Sequence, residues 1–593
     1  MIRTAFFAIY LATTSSVVAA NDAAVESAQC EHFREGQKQV FWGDLHVHTS
    51  YSMDAYAFGN RHDPRDAYAF GRGQQLTLAD GITKVQLERP LDFMAVTDHA
   101  ETFDVMYLCT DPRYLDNNYC KVMRKDSVQE SSLSVFRNYL LPIIAGETPV
   151  PSKLCAPDAE NADSINCPVA SQRQWRRTQE QANAANSPCE FTTFIGNEWS
   201  ATPNDQHWHR NLIYANDAVS EQAIDYVRYP TVDKLWQALD EQCVAEQGCD
   251  VISIPHNTNL SEGGGFDIEN SSDRSHNARA RYERLIEIYQ SKGGSECLPE
   301  HWDDTNADCN FEILLPRSAS GKLEENALKK EEWQQLRASY ARSVLKRGVL
   351  AAERSESGLN PLQLGFIGST DNHTATAGLV DEANWPGDAW GWGNDVSRRF
   401  QRMHYNPGGM VAVWSEENTR ASVFAALKRR EVYATSGPRI ALNVQAFSSP
   451  KNNPCDDPDA LTADAVMGGV LTNTAINNPQ FVVRANMDKV PLSKVEIIKT
   501  SVVNGEAVEQ VSTVMESKKG RSELCVAWQD SAFNPQEHAL WYVRVLEKPT
   551  PRWSKLDCER ANNCKDFPEA NKLIQERAWA SPIWYTPNSE TSQ

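Results

Sequence analysis

The sequence predicts an α/β unit followed by a mainly antiparallel β unit, and three observations carry that reading. From Gln39 to about Arg439, short apolar runs alternate with helical stretches, the pattern of an α/β fold. Past Tyr433-Ala434-Thr435-Ser436-Gly437-Pro438 the pattern switches to alternating apolar and polar residues with turn residues between. Several apolar runs of the first unit end directly in His, Asp or Glu, the side chains that hold metal ions.

At 593 residues the chain is too long for one hydrophobic core. Residues 1–20 carry Arg3 as their single charge, an apolar run and a small-residue end at Val18-Ala19-Ala20, which predicts a cleaved export signal. A linker (21–38), the α/β unit (39–440) and the β unit (441–593) complete the expected organisation. Strands are expected at 40–46, 91–97, 191–196, 211–215, 250–255, 285–289, 364–369 and 410–414, with helices at 232–242, 331–348 and 419–430. The segments 103–187, 257–280 and 375–409 read as long irregular insertions of the kind that form lids and binding loops. In the β unit, strands are expected at 440–447, 480–487, 494–500 and 540–546, a helix at 570–577, and a β-sandwich overall.

The formal net charge of −21, or −22 once Arg3 is removed, makes phosphate backbones and anionic lipid poor partners. It does not disfavour a small substrate held by metals. Beyond the signal no run approaches the length of a membrane span. All fourteen cysteines follow the signal, and five close pairs (Cys109 and Cys120, Cys155 and Cys167, Cys243 and Cys249, Cys297 and Cys309, Cys558 and Cys564) predict local disulfides in an oxidising, periplasmic or extracellular setting. None has the spacing of a zinc knuckle.

The chemistry lies at the strand ends. Phe41-Trp42-Gly43-Asp44-Leu45-His46-Val47-His48 puts two imidazoles on one face of an extended segment, with Asp54 just beyond. The next strands run into Asp98 and His99, into Asn197 and Glu198, into His256, and into Asp371 and His373, while His209 heads the strand at 211–215. Strand ends that converge on one face of a barrel bring such residues together. The chain contains no G-x-S-x-G elbow, P-loop or H-E-x-x-H motif.

In order, H-x-H-x5-D, T-D-H, G-x-E, P-H and D-x-H resemble the PHP (polymerase and histidinol phosphatase) superfamily of metal-dependent phosphoesterases. The segment Arg430-Glu431-Val432-Tyr433-Ala434-Thr435-Ser436-Gly437-Pro438-Arg439-Ile440 resembles its exported branch, catalogued as domain of unknown function family 3604. The resemblance implies a distorted (β/α)7 barrel with two or three divalent ions. It implies His46, His48, Glu198 and Asp371 for the first ion, Glu198, His209 and His256 for the second, and Asp54, His99 and His373 for the third. His207 stands as the alternative to His209. Asp54 occupies a place where some members use histidine.

Imidazole and carboxylate ligands without thiolate suit zinc, manganese or iron alike. The implied reaction is hydrolysis of a phosphate mono- or diester of a small molecule, with a metal-bound hydroxide as nucleophile. Glu198 would bridge two ions, Asp98 would orient a neighbouring imidazole, and Arg210, Asn257 and Asn372 flank the ligands and could touch substrate. Two rivals are an amidohydrolase-type or sulfate or carboxylic ester hydrolase, and a silent metal-stabilised scaffold that docks a surface partner. An amidohydrolase wants a bridging lysine and a lone terminal Asp, whereas this chain offers Glu198 and the Asp371–His373 pair. Nothing in the sequence bears on oligomeric state.

Overall fold

The computed structural model describes residues 30–587 apart from 32, 126–131, 147, 157–164, 302–308, 325–326, 389–395, 457–461 and 473–477. The expected export signal therefore lies outside the described residues. The protein is a mixed α/β structure built on a large central sheet. Its principal strands are β1 (Gln39–Asp44), β2 (Phe93–Ala95), β3 (Thr192–Trp199), β4 (Arg210–Tyr214), β5 (Val251–Pro255), β6 (Leu285–Gln290), β7 (Gly365–Gly368), β8 (Met410–Ser415) and β9 (Val432–Thr435). Each of the eight expected strands of the first unit is present, with ends shifted by up to three residues, and β9 adds a ninth.

β1 pairs in parallel with β2, and β2 with β3; β4 and β5 follow antiparallel. β6 and β7 form a separate parallel pair with the two-residue strand Gly293–Gly294 at its edge. Among the described residues the ladder does not close into a ring. β1 has both edges taken, one by β2 and the other by β8 over Gln39–Gly43, so β7 meets it only beyond Asp44. There the Asp371 N–H donates to the His46 carbonyl (2.9 Å) and the His48 N–H to the Asn372 carbonyl (2.7 Å). These two bonds set the segments that carry His46, His48 and Asp371 side by side. Beneath them Leu45, Phe93, Phe194, Ile213, Ile254, Leu285, Ile367 and Val411 form one buried apolar cluster. It supplies the dry floor on which the polar cluster rests.

Three expectations are corrected. The segment 103–187 is not an irregular loop: it carries the 19-residue helix Cys167–Ala185. The inward face of that helix is Ala170, Ser171, Gln174, Trp175, Thr178 and Ala182, mostly small or polar, so no apolar period betrays it. The helix expected at 331–348 is two, Lys330–Arg337 and Ala341–Arg354. The break falls where the Ala341 and Arg342 N–H groups donate to the Ser295 and Glu296 carbonyls (2.9 and 3.0 Å), which suits a fresh helix start. At 570–577 there is no helix but a 3₁₀ turn at Pro568–Ala570 and strands Leu573–Ile574 and Arg577–Ala580; the helix of this region is Trp553–Arg560.

The C-terminal part is β-rich, as expected. Ala441–Phe447, Gln480–Asn486 and Glu523–Gln529 make an antiparallel sheet with the short strand Ala465–Val466. It faces a second layer, Leu492–Val503, Glu506–Arg521 and Ala539–Glu547, with Phe481 and Trp541 in contact at 5.0 Å between ring centres. That second layer is continuous with the main sheet. Arg577–Ala580 pairs with both β9 and Ala539–Glu547, so tail and first unit share one set of backbone hydrogen bonds. Seven disulfides join all fourteen cysteines, including the five expected local pairs and two long-range links, Cys30–Cys189 and Cys455–Cys525. No helix among the described residues is long and apolar enough to cross a membrane.

Candidate metal centre

The nine residues singled out as ligands meet in one buried cluster. Glu198, near the end of β3, is its hub. Its Oε1 lies 2.7 Å from His209 Nδ1 and 3.2 Å from His256 Nε2; its Oε2 lies 3.2 Å from His48 Nε2, 3.4 Å from His99 Nδ1 and 3.5 Å from His46 Nε2. Asp371 Oδ1 faces His48 Nε2 at 3.2 Å, His46 Nε2 at 3.3 Å and His373 Nδ1 at 3.5 Å. Asp54 Oδ2 lies 3.0 Å from His373 Nε2 and 3.3 Å from His99 Nε2. His209 rather than His207 faces Glu198; His207 stacks on His209 with ring centres 4.8 Å apart and its Nδ1 is buried without a hydrogen bond.

Groups behind the cluster decide which ring nitrogens look into it. Glu287, on β6, accepts from His46 Nδ1 (3.1 Å). Ser52 donates its one proton to Asp98 Oδ1 (2.8 Å), so His48 Nδ1 is the donor to Ser52 Oγ (2.9 Å). His373 Nδ1 donates to the Asp371 carbonyl (2.9 Å). In each case Nε2 is left with its lone pair aimed into the cluster. Asp98 lies behind the cluster, where it accepts from the Ser52 hydroxyl and from the Thr49 N–H (2.6 Å).

Burial would protonate the two hub carboxyls, yet the surrounding imidazoles hold Glu198 and Asp371 well below the usual carboxylate range. Burial also lowers His209, to about 4, and His256, favouring their neutral forms. Glu198 and Asp54 overcome the same effect at His99 and raise it to about 10. Asp371 itself sits at φ 52°, and Asn257, next to His256, at φ 53°, both in the left-handed region that non-glycine residues rarely occupy.

This donor set fits divalent cations. Glu198 Oε2 and Asp371 Oδ1 are buried and accept no hydrogen bond, and the Nε2 lone pairs of His46 and His48 face both of them. Lone pairs converging on lone pairs are repulsive unless a cation lies between them. Three groups have ligand atoms within 4.8 Å of one another: His46, His48 and Glu198; Glu198, His209 and His256; and His48, His99 and His373. A further group, Asp104, Cys155 and Cys167, is no ligand set because its two sulfurs form a disulfide.

Arg210 is not brought into the cluster. Its guanidinium is buried on Glu283 (2.8 Å) and the Gly265 carbonyl (2.7 Å), a structural ion pair. Asn372 accepts the Thr374 and Thr376 N–H groups, and Asn257 accepts from Gln290. Sequence reasoning missed Glu287, Ser52, Gln290 and Lys292. Gln290 Nε2 donates to Asp371 Oδ2 at 2.8 Å, and the Lys292 ammonium pairs with the same oxygen. Glu287 left a signal, a carboxylate within the apolar strand Leu285-Ile286-Glu287-Ile288; the others left none.

Among known proteins, the chain is 23% identical over 312 residues to an uncharacterized protein of Chlamydia pneumoniae, an alignment covering 52% of this chain and 39% of that relative. A solved structure from Bacteroides vulgatus ATCC 8482, described as a two-domain protein containing a predicted PHP-like metal-dependent phosphoesterase, aligns at 10% identity and a TM-score of 0.27 over 86% of this chain and 94% of the other. The family model described as Protein of unknown function (DUF3604) matches residues 35–519 and 504–587, and the chain belongs to that family.

Proposed function

We propose that the protein is an exported metal-dependent hydrolase, most simply a phosphoesterase for a phosphate mono- or diester of a small molecule. The observation that carries this reading is Glu198, whose two oxygens face two different sets of imidazole nitrogens, the arrangement of a carboxylate shared by two cations. Residues 46, 48, 198 and 371 would hold one ion, 198, 209 and 256 a second, and 54, 99 and 373 a third, with zinc, manganese and iron all compatible. When bound, such ions acidify a water and offset charge on a phosphoryl centre. The strands that bear these residues support a distorted, incompletely hydrogen-bonded barrel for 39–440, with 441–593 buttressing it. Seven disulfides support an oxidising compartment.

The side chains divide the remaining work. Glu287 and the Ser52–Asp98 pair keep His46 and His48 in the ligating tautomer. Lys292 sits at the edge of the cluster, its side chain 17% exposed; Asp371 and Asp388 overcome burial and raise its pKa, so it stays charged. That places a cation where an anionic substrate oxygen would arrive. No cysteine thiol is free to act as a nucleophile, since every cysteine is bonded.

The test is metal content by elemental analysis together with hydrolysis of p-nitrophenyl phosphate, bis(p-nitrophenyl) phosphate, and p-nitrophenyl sulfate and acetate. The expected outcome is at least two ions per chain and chelator-sensitive turnover of a phosphate ester. Sulfate or acetate turnover alone would move the protein to another ester class. A metal-loaded protein inert to all four would support the scaffold reading.

A further inference from the structure

Away from the imidazole cluster, a cavity of about 240 Å³ opens between the segment that follows His373 and the C-terminal strands. Glu88, Asp381, Glu382, Asp488, Glu547 and Glu576 line it, against only Arg89, Arg439 and Lys489. Those three cations are already engaged. Arg89 pairs with Asp488 (2.6 Å), Lys489 with Glu88, and Arg439 donates to the Arg89 and Pro90 carbonyls (2.8 and 2.7 Å). Arg552, close to Glu382, is held by both oxygens of Glu312 (2.8 and 2.6 Å).

Three carboxyls are thus left without a cation of their own. Glu382 accepts the Trp553 N–H and Glu576 the Ser436 hydroxyl. Glu547 is 1% exposed, and its Oε1 is buried with no hydrogen-bond partner at all. An orphaned carboxylate oxygen in a cavity wall costs free energy unless a ligand meets it. Burial raises Glu547 and Glu382 to about 8 each and Glu576 well above the ordinary range, so the wall holds protons that an incoming cation would displace.

The geometry selects the kind of cation. Among the described residues, groups of three or more ligand atoms within 4.8 Å occur at the imidazole cluster and around Cys155–Cys167, not here. The wall therefore forms no tight cage for a bare divalent ion, which wants convergent oxygens. A head carrying several N–H donors spans separated carboxylates instead. Leu379, Val380 and Pro438 also line the cavity and offer an apolar surface to a methylene chain.

We propose that this cavity binds a small organic cation, an alkyl guanidinium or primary alkylammonium, with its head on Glu547 and Glu576 and its stem on Leu379, Val380 and Pro438. The site is independent of the hydrolase reading. Isothermal titration of the full protein with butylguanidinium and butylammonium, before and after chelator treatment, tests it. The expected result is one saturable site per chain, unchanged by chelation and weakened at least tenfold in Glu547→Gln. Glu576→Gln, checked alongside for native circular dichroism, should weaken it as well. Absence of saturable binding at millimolar concentrations overturns the proposal, as does equal binding by both variants. A site that takes calcium in preference to either organic cation overturns it too.

Discussion

Two of the buried charge clusters in this protein are built on opposite rules. At the junction of sheet and tail, Glu296 receives Arg342 (2.8 Å), Arg544 (3.1 and 3.0 Å), the Tyr542 hydroxyl (2.7 Å) and the Trp579 indole N–H (2.6 Å). Arg544 in turn donates to Glu496 at 2.6 and 2.8 Å. Both Glu296 oxygens have donors, and these outweigh burial to hold its pKa far below the ordinary value. At the imidazole cluster Glu198 is as deeply buried, but its Oε2 accepts no hydrogen bond and faces the Nε2 lone pairs of His46 and His48. The first cluster is satisfied by protein atoms; the second, on the proposed reading, is completed by cations. Buried carboxylates therefore mark function when their surroundings lack donors, not merely when they are buried.

The largest test of this contrast is Glu198→Gln. It keeps the shape but removes the charge shared by two ions, so metal content should fall and turnover should drop by roughly 10³-fold or more. A folded variant with full metal and near-normal rate would break the distinction. Glu296→Gln should do the reverse. It removes the anion that Arg342 and Arg544 share in the interior, leaving them Glu509 and Glu496 alone, and should cost about 3 kcal/mol in urea unfolding, while metal per folded chain stays unchanged.

A smaller effect is expected behind the ligands. Glu287→Gln should leave the fold intact and weaken metal binding about 10–100-fold in a chelator competition, because His46 loses the carboxylate that fixes its tautomer. Unaltered affinity would show that the backbone alone positions His46. Smallest is the double change Cys243→Ser and Cys249→Ser. Opening that short loop should cost about 2 kcal/mol and leave the metals in place, since no sulfur belongs to the ligand set. Thiol titration of the unreduced, denatured wild type should find no free thiol.

Much of the candidate site was legible because its imidazoles and carboxylates follow apolar strands directly. Val251–Pro255 delivers His256 and Gly365–Gly368 precedes Asp371, so hydrophobic runs and chemistry could be read together. Ser52 and Lys292 were not legible, because nothing in a hydroxyl or an ammonium tells which distant imidazole or carboxylate it will meet. Arg210 misled for the same reason: its adjacency to His209 in sequence puts it on the other face, against Glu283. The long hairpin of the tail did carry a signal in Asn504-Gly505, both at positive φ, yet its second strand is polar and largely exposed and so looks like a loop. Continuity of tail and first unit was out of reach, since Arg577–Ala580 inserts between Ala539–Glu547 of the tail and β9, far earlier in the chain.

One bond sets a problem of order. Taken along the chain, twelve of the fourteen cysteines pair with their immediate neighbour in the cysteine series, and Cys30 alone reaches past four others to Cys189. A chain that threads into an oxidising compartment from its amino end presents Cys109 to Cys30 long before Cys189 arrives. First-come pairing from Cys30 would join Cys30 to Cys109 and displace Cys120, Cys155 and Cys167 in turn, each by one partner. Correct maturation therefore requires Cys30 to remain a thiol until the two local loops have closed, or a mispaired set to be exchanged afterwards on the timescale of disulfide reshuffling. Producing the native protein is thus a question of thiol exchange, and a host that oxidises without isomerising should accumulate a non-native ladder that begins at Cys30.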